Sequence, residues 1–62
     1  MTHEDFILAL MERLSQVKEI AEFAYYHAEK ANNLGHRREA ERVGIRATDL
    51  ALEILSYISK SL

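Results

Sequence analysis

Between Ile7 and Ala31 an apolar residue recurs at alternating steps of three and four without a miss: Ile7, Leu10, Leu14, Val17, Ala21, Ala24, Ala28 and Ala31. That spacing puts one continuous stripe on an α-helix and fits neither a strand nor a loop. The pattern breaks at Asn32-Asn33-Leu34-Gly35 and resumes at Ala40, Val43, Ala47, Leu50, Ile54 and Tyr57. With no proline and only two glycines in 62 residues, nothing else interrupts the chain. The reading is all-α, one domain over 1–62, with two helices at about 3–32 and 36–61. Each helix is then roughly 40–45 Å long. A turn this short requires an antiparallel hairpin. Thr2 with Asp5 three residues on predicts a capped first helix. Asparagine and glycine at the turn predict a left-handed residue closing that helix.

Side-chain size changes along the stripes. Near the turn both helices offer small residues, Ala21, Ala24, Ala28 and Ala31 facing Ala40, Gly44, Ala47 and Ala51. Small residues let two helices approach towards or below the usual 8–10 Å axial spacing. Gly44 costs about 1 kcal/mol relative to alanine inside a helix. That cost predicts a bulky neighbour over it, and Tyr25 is the candidate. Toward the chain ends Ile7, Leu10, Leu14 and Val17 face Leu50, Ile54, Ile58 and Leu62. The hairpin is therefore expected to be pinched at its turn and splayed at its open end.

A chain this short rarely gains more than about 3–5 kcal/mol from its own core. With no cysteine, neither a disulfide nor a thiolate-bound zinc can make up the deficit. Yet 48% of the residues are hydrophobic, more than one stripe per helix can hide. A second hairpin is the expected cover, giving a four-helix bundle as a homodimer, with a tetramer left open. The residues expected to join subunits are Phe6, Ile7, Leu10, Met11, Leu14 and Ile20 on the first helix. On the second they are Ile45, Leu52, Leu55, Ile58 and Leu62.

Charge is unevenly spread although the net is only −2. Residues 1–29 carry Glu4, Asp5, Glu12, Glu19, Glu22 and Glu29 against Arg13 and Lys18. Residues 36–46 carry Arg37, Arg38, Arg42 and Arg46 against Glu39 and Glu41. Arg38, Arg42 and Arg46, spaced by four, form a slanted stripe that can meet phosphates with salt-dependent affinity. The blander expectation, and the favoured one, is that they pair with acids on the other helix or on a partner, or lie solvated. Arg37 is expected near the last carbonyls of the first helix.

The remaining chemistry is thin. His27 and His36 flank the turn, but neither His-x-x-x-His nor Glu-x-x-His spacing occurs, so no metal and no cofactor is expected. His3 reads as a frayed terminal residue. No cysteine nucleophile, glycine-rich phosphate loop or Ser/His/acid set is present, and the chain is read as not an enzyme. Phe23, Tyr25 and Tyr26 span too much of the helix circumference to point one way. Tyr25 is expected over Gly44, Phe23 at the subunit interface, and Tyr26 toward a partner. No apolar run reaches the roughly 18–20 residues of a membrane span. The start lacks the basic flank of a secretory leader, so a cytoplasmic protein is expected. Surface insertion is disfavoured because the basic residues lie away from the apolar open end.

Around the turn, Ala28, Ala40 and Ala47 with Gly35 resemble one tetratricopeptide-type hairpin over about 25 residues. The match departs at Ala24, Ala31 and Gly44, where that family has large aromatics, and no second copy follows. What it implies is shared packing geometry. In length and layout the chain also resembles the Rop-type plasmid copy-number regulators, dimeric bundles that bind paired RNA hairpins. That resemblance lies at the level of fold and carries over no contact residue. The sequence thus supports a non-catalytic oligomeric module, a regulator or adaptor that meets a protein partner through Tyr26, Arg38, Arg42 and Arg46. The alternative is a Rop-like bundle binding RNA or DNA through the arginine stripe.

Overall fold

The computed structural model describes residues 2–62. They form two helices, α1 over His3–Lys30 and α2 over Leu34–Ser61, with no strand among the described residues. The helices pack along each other as an antiparallel hairpin 47 Å long and only 15 by 13 Å across. His3 lies beside Ser61 at the open end, so the two helices finish level.

α1 starts as its sequence dictates. The Thr2 hydroxyl accepts from the Asp5 amide at 3.1 Å, and the Thr2 amide donates to the Asp5 carboxylate at 3.2 Å. This reciprocal pair satisfies two backbone donors that a helix start leaves open. His3, expected to fray, is the first helical residue, and its Nε2 lies 3.0 Å from the Ser61 carbonyl oxygen.

The turn differs from the expectation. α1 stops at Lys30, and Ala31 leaves in an extended conformation with φ −65° and ψ 136°. No described residue has a positive φ, so no left-handed cap exists there. Asn33 instead starts α2, its side-chain oxygen accepting from the His36 amide at 2.8 Å. Asparagine is as strong at a helix start as at a helix end, and here the start takes it. Gly35 consequently sits inside the first turn of α2, and the linker, still three residues long, lies at 31–33, two residues earlier than the expected 33–35.

The core is a single seam. From α1 it takes Ile7, Val17, Ala21, Ala24 and Ala28, and from α2 Gly44, Ala47, Ile54 and Ile58. Leu10, Leu14 and Ala51 pack against it half-buried. On α2 the sequence offered two inward stripes, and the structure turns outward the one through Val43, Leu50 and Tyr57, which are 49%, 47% and 61% exposed. Their places are taken by Gly44, Ala51 and Ile58, each one residue later. Both stripes share Ala40, Ala47 and Ile54 and both fit a helical repeat. The inward one has the smaller residues, which permit the closer approach.

Tyr25 decides the matter at Gly44. A Cβ added there would sit 2.9 Å from two carbons of the Tyr25 ring. The ring occupies the space an alanine methyl would need, which is why glycine is tolerated in mid-helix despite its propensity cost.

Candidate interaction surface

A two-helix hairpin has two broad sides. On one of them the helices part into a trough that runs from the turn to the open end. Its largest hollow, about 700 Å³, is lined by Gln16, Glu19, Ile20, Phe23, Ala24, Ala40 and Val43. Ile20 and Val43 also line the next hollow, with Val17, Arg46, Ala47 and Leu50. Leu50 in turn lines a third, with Leu10, Glu53, Ile54 and Tyr57. At the open end Phe6 meets Tyr57 edge-on, with ring centres 6.4 Å apart. The trough is apolar along its floor, and Glu19, Arg46 and Glu53 are the only charged residues lining these three hollows.

The residues expected to join subunits divide into two groups. Ile7 and Ile58 are buried inside the single hairpin, with Leu10 and Leu14 half-buried beside them. Those four are held by the chain's own core. Phe6, Met11, Ile20, Ile45, Leu52, Leu55 and Leu62 are all exposed. Phe6 and Ile20 belong to the trough. Met11 stands two heptads before Tyr25 and so shares its side of α1, away from the trough. Val43, Leu50 and Tyr57 are the trough residues that periodicity assigned to the seam. Their signal was a second seven-residue spacing running beside 44, 51 and 58.

The expected partner surface lies nearer the turn. Phe23 stacks edge-on to His27 at 4.4 Å, and Tyr26 meets the same imidazole at 5.8 Å. Lys30 Nζ lies 5.7 Å from the Tyr26 ring centre, within reach of a weak cation–π attraction. Arg38, Arg42 and Arg46 are exposed. The one ion pair among the described residues is Arg37 with Glu41, 3.7 Å apart and half exposed. Arg37 thus turns along its own helix and away from the end of α1. The arginine stripe has no acid of the other helix to hold it. Because steps of four advance around a helix, the stripe winds from the outer face at Arg38 to the lip of the trough at Arg46.

His27 and His36 line a common hollow of about 410 Å³ at the turn, with Lys30 and Asn33. No group of three or more His, Cys, Asp or Glu side chains is placed to hold a metal ion among the described residues. No helix among them is long and apolar enough to cross a membrane.

The hairpin is under-covered for its size. It exposes 5199 Å² for a mass of 7.2 kDa. Compact monomers of that mass expose about 4,100 Å². The difference exceeds the roughly 800 Å² that one partner contributes to a stable interface of ordinary size.

Comparison with known proteins adds nothing to this picture. No family model matches the chain, and no curated protein or solved structure does.

Proposed function

We propose that this chain is a non-catalytic helical interaction module that works as a homodimer, two hairpins forming a four-helix bundle, and acts as a regulator or adaptor in the cytoplasm. The balance of its apolar side chains carries the reading. Among the described residues four large ones (Ile7, Val17, Ile54 and Ile58) are buried by the hairpin, whereas fifteen large hydrophobics stay exposed. So few buried side chains are a thin core for a domain that has no covalent staple. So many exposed ones on a chain this small point to a covering surface. Phe6, Ile20, Met11, Ile45, Leu52, Leu55 and Leu62 are available for it. Tyr26, Arg38, Arg42 and Arg46, all on exposed positions, are assigned to a protein partner.

Light scattering coupled to size exclusion at micromolar concentration tests the reading. Twice the 7.2 kDa chain mass is expected; a well-folded, monodisperse single chain ends the proposal.

A second reading is favoured by one observation. Arg38, Arg42 and Arg46 are exposed and make no ion pair among the described residues. A nucleic-acid-binding bundle of Rop-like layout would use them on phosphates. Binding to mixed RNA and DNA should then fall steeply with salt, and Arg38→Glu with Arg42→Glu should abolish it. No binding at low salt removes this alternative.

A further inference from the structure

The trough differs from the rest of the exposed apolar surface in one respect: its charges come in matched levels. His3 beside Ser61 and Phe6 beside Tyr57 fix which residues of the two helices stand level. By that register Glu19 on α1 stands within one helical turn of Arg46 on α2. Arg13, seven residues from both Phe6 and Ile20 and so on their stripe, stands within one turn of Glu53. Each level pairs one acid with one base on opposite lips. Neither pair closes within the hairpin, where the single ion pair among the described residues is Arg37 with Glu41.

We infer that the trough is the seat of a second copy of this chain, lying face to face with both turns at the same end and α1 of each copy over α2 of the other. This rests on the self-association proposed above and adds the face and the direction to it. In this arrangement Glu19 lies over the partner's Arg46, and Arg13 over the partner's Glu53, each contact occurring twice. The apolar layers match as well. Ile20 meets the partner's Val43, Phe23 meets the small side chain of the partner's Ala40, and Phe6 meets the partner's Tyr57. Turning one copy end over end keeps the same faces together but spoils the layers. With the rods fully overlapped, Val43 then falls opposite the partner's Glu53 and Leu50 opposite the partner's Arg46, apolar against charge, and pairing Val43 with the partner's Leu50 instead takes a slide of about 4.5 Å. A cover of ordinary size is in proportion, since the surface the whole hairpin exposes beyond that of a compact monomer exceeds one partner's share of such an interface.

The assembly has a consequence for the partner surface. Arg46 is taken into the seam, and two copies of Tyr26, Arg38 and Arg42 are gathered at one end of the bundle.

The absence of cysteine allows a direct test, because one introduced thiol carries a spin label without competition. With Asn32→Cys labelled at the turn, the distance between the two labels is read by pulsed dipolar spectroscopy on the full chain. Turns at one end place the labels within roughly 30 Å, the width of two hairpins each 15 by 13 Å across. Turns at opposite ends place them near the hairpin length of 47 Å. A dimer by light scattering with the long distance overturns this arrangement and leaves self-association standing; a monomer overturns both. The face is read separately. Val43→Lys should weaken the dimer at least tenfold with helical content retained, whereas Leu8→Lys, at an exposed position of α1 outside the trough, should leave it unchanged. The opposite result places the seam elsewhere. Glu19→Arg and Arg46→Glu should each weaken the dimer, and the two together should restore it; failure of the double swap to restore it overturns the charge register.

Discussion

The two halves of the hairpin are held by different means. Near the turn the seam is Ala21, Ala24 and Ala28 against Gly44 and Ala47, side chains with little surface to bury. Near the open end it is Ile7 against Ile54 and Ile58, with Leu10 half-buried beside them. The turn half gains from backbone proximity and from the short connection. The open half gains from hydrophobic area and holds most of the large buried side chains. Small residues bring helices together but leave little area to stabilise them, so the area must be found elsewhere along the same pair of rods.

Substitutions should separate the two mechanisms, compared at fixed chain concentration because association shifts apparent stability. The largest effect is expected in the open half. Ile54→Ala removes a buried branched side chain and should cost about 2–5 kcal/mol in denaturant unfolding. Ala21→Leu attacks the turn half from the other direction. It overpacks the close approach and should cost about 1–3 kcal/mol; an unchanged midpoint would mean the helices are not tightly apposed there. Asn33→Ala should cost about 1 kcal/mol by leaving the His36 amide without its cap.

Gly44 sharpens the comparison further. In a Tyr25→Ala background Gly44→Ala should stabilise by about 1 kcal/mol, the ordinary helix gain. With Tyr25 present the added methyl collides with the ring, and that gain should be reduced or reversed. A coupling of at least about 0.5 kcal/mol in the cycle is expected, and additivity would show that ring and glycine are independent. Arg37→Ala should do least, less than about 0.5 kcal/mol, since its pair with Glu41 is exposed and lies within one helix.

Much of this was legible from residue spacing. The helices, the Thr2–Asp5 cap and the ring over Gly44 follow from periodicity, cap chemistry and the cost of a helical glycine. Two features were not. On α2 the stripes 43/50/57 and 44/51/58 are equally periodic, and hydrophobicity favours the first while packing takes the second. Hydrophobicity measures a residue alone, whereas a seam rewards the closest approach of two backbones. At the turn, Asn33 has two good uses, and only the conformation of Ala31 shows which helix it serves. The trough was half visible. Phe6 and Ile20 stood outside the seam from the start, but Val43, Leu50 and Tyr57 emerged as its other lip only once α2 was rotated. Ile7 and Ile58 were assigned both to the seam and to the subunit interface, because a pattern marks an apolar residue without saying whose surface it covers.

The contact between the His3 ring and the Ser61 carbonyl brings both ends of the described chain to one place. A brief tether from Leu62 back to Thr2 would close the polypeptide into a ring without disturbing either rod. That ring could be cut between Asn32 and Asn33, giving a permuted molecule whose helices follow each other in reverse order. Anything fused at either terminus projects from that same pole, leaving the opposite, Asn32-bearing pole unencumbered for reporters or cargo.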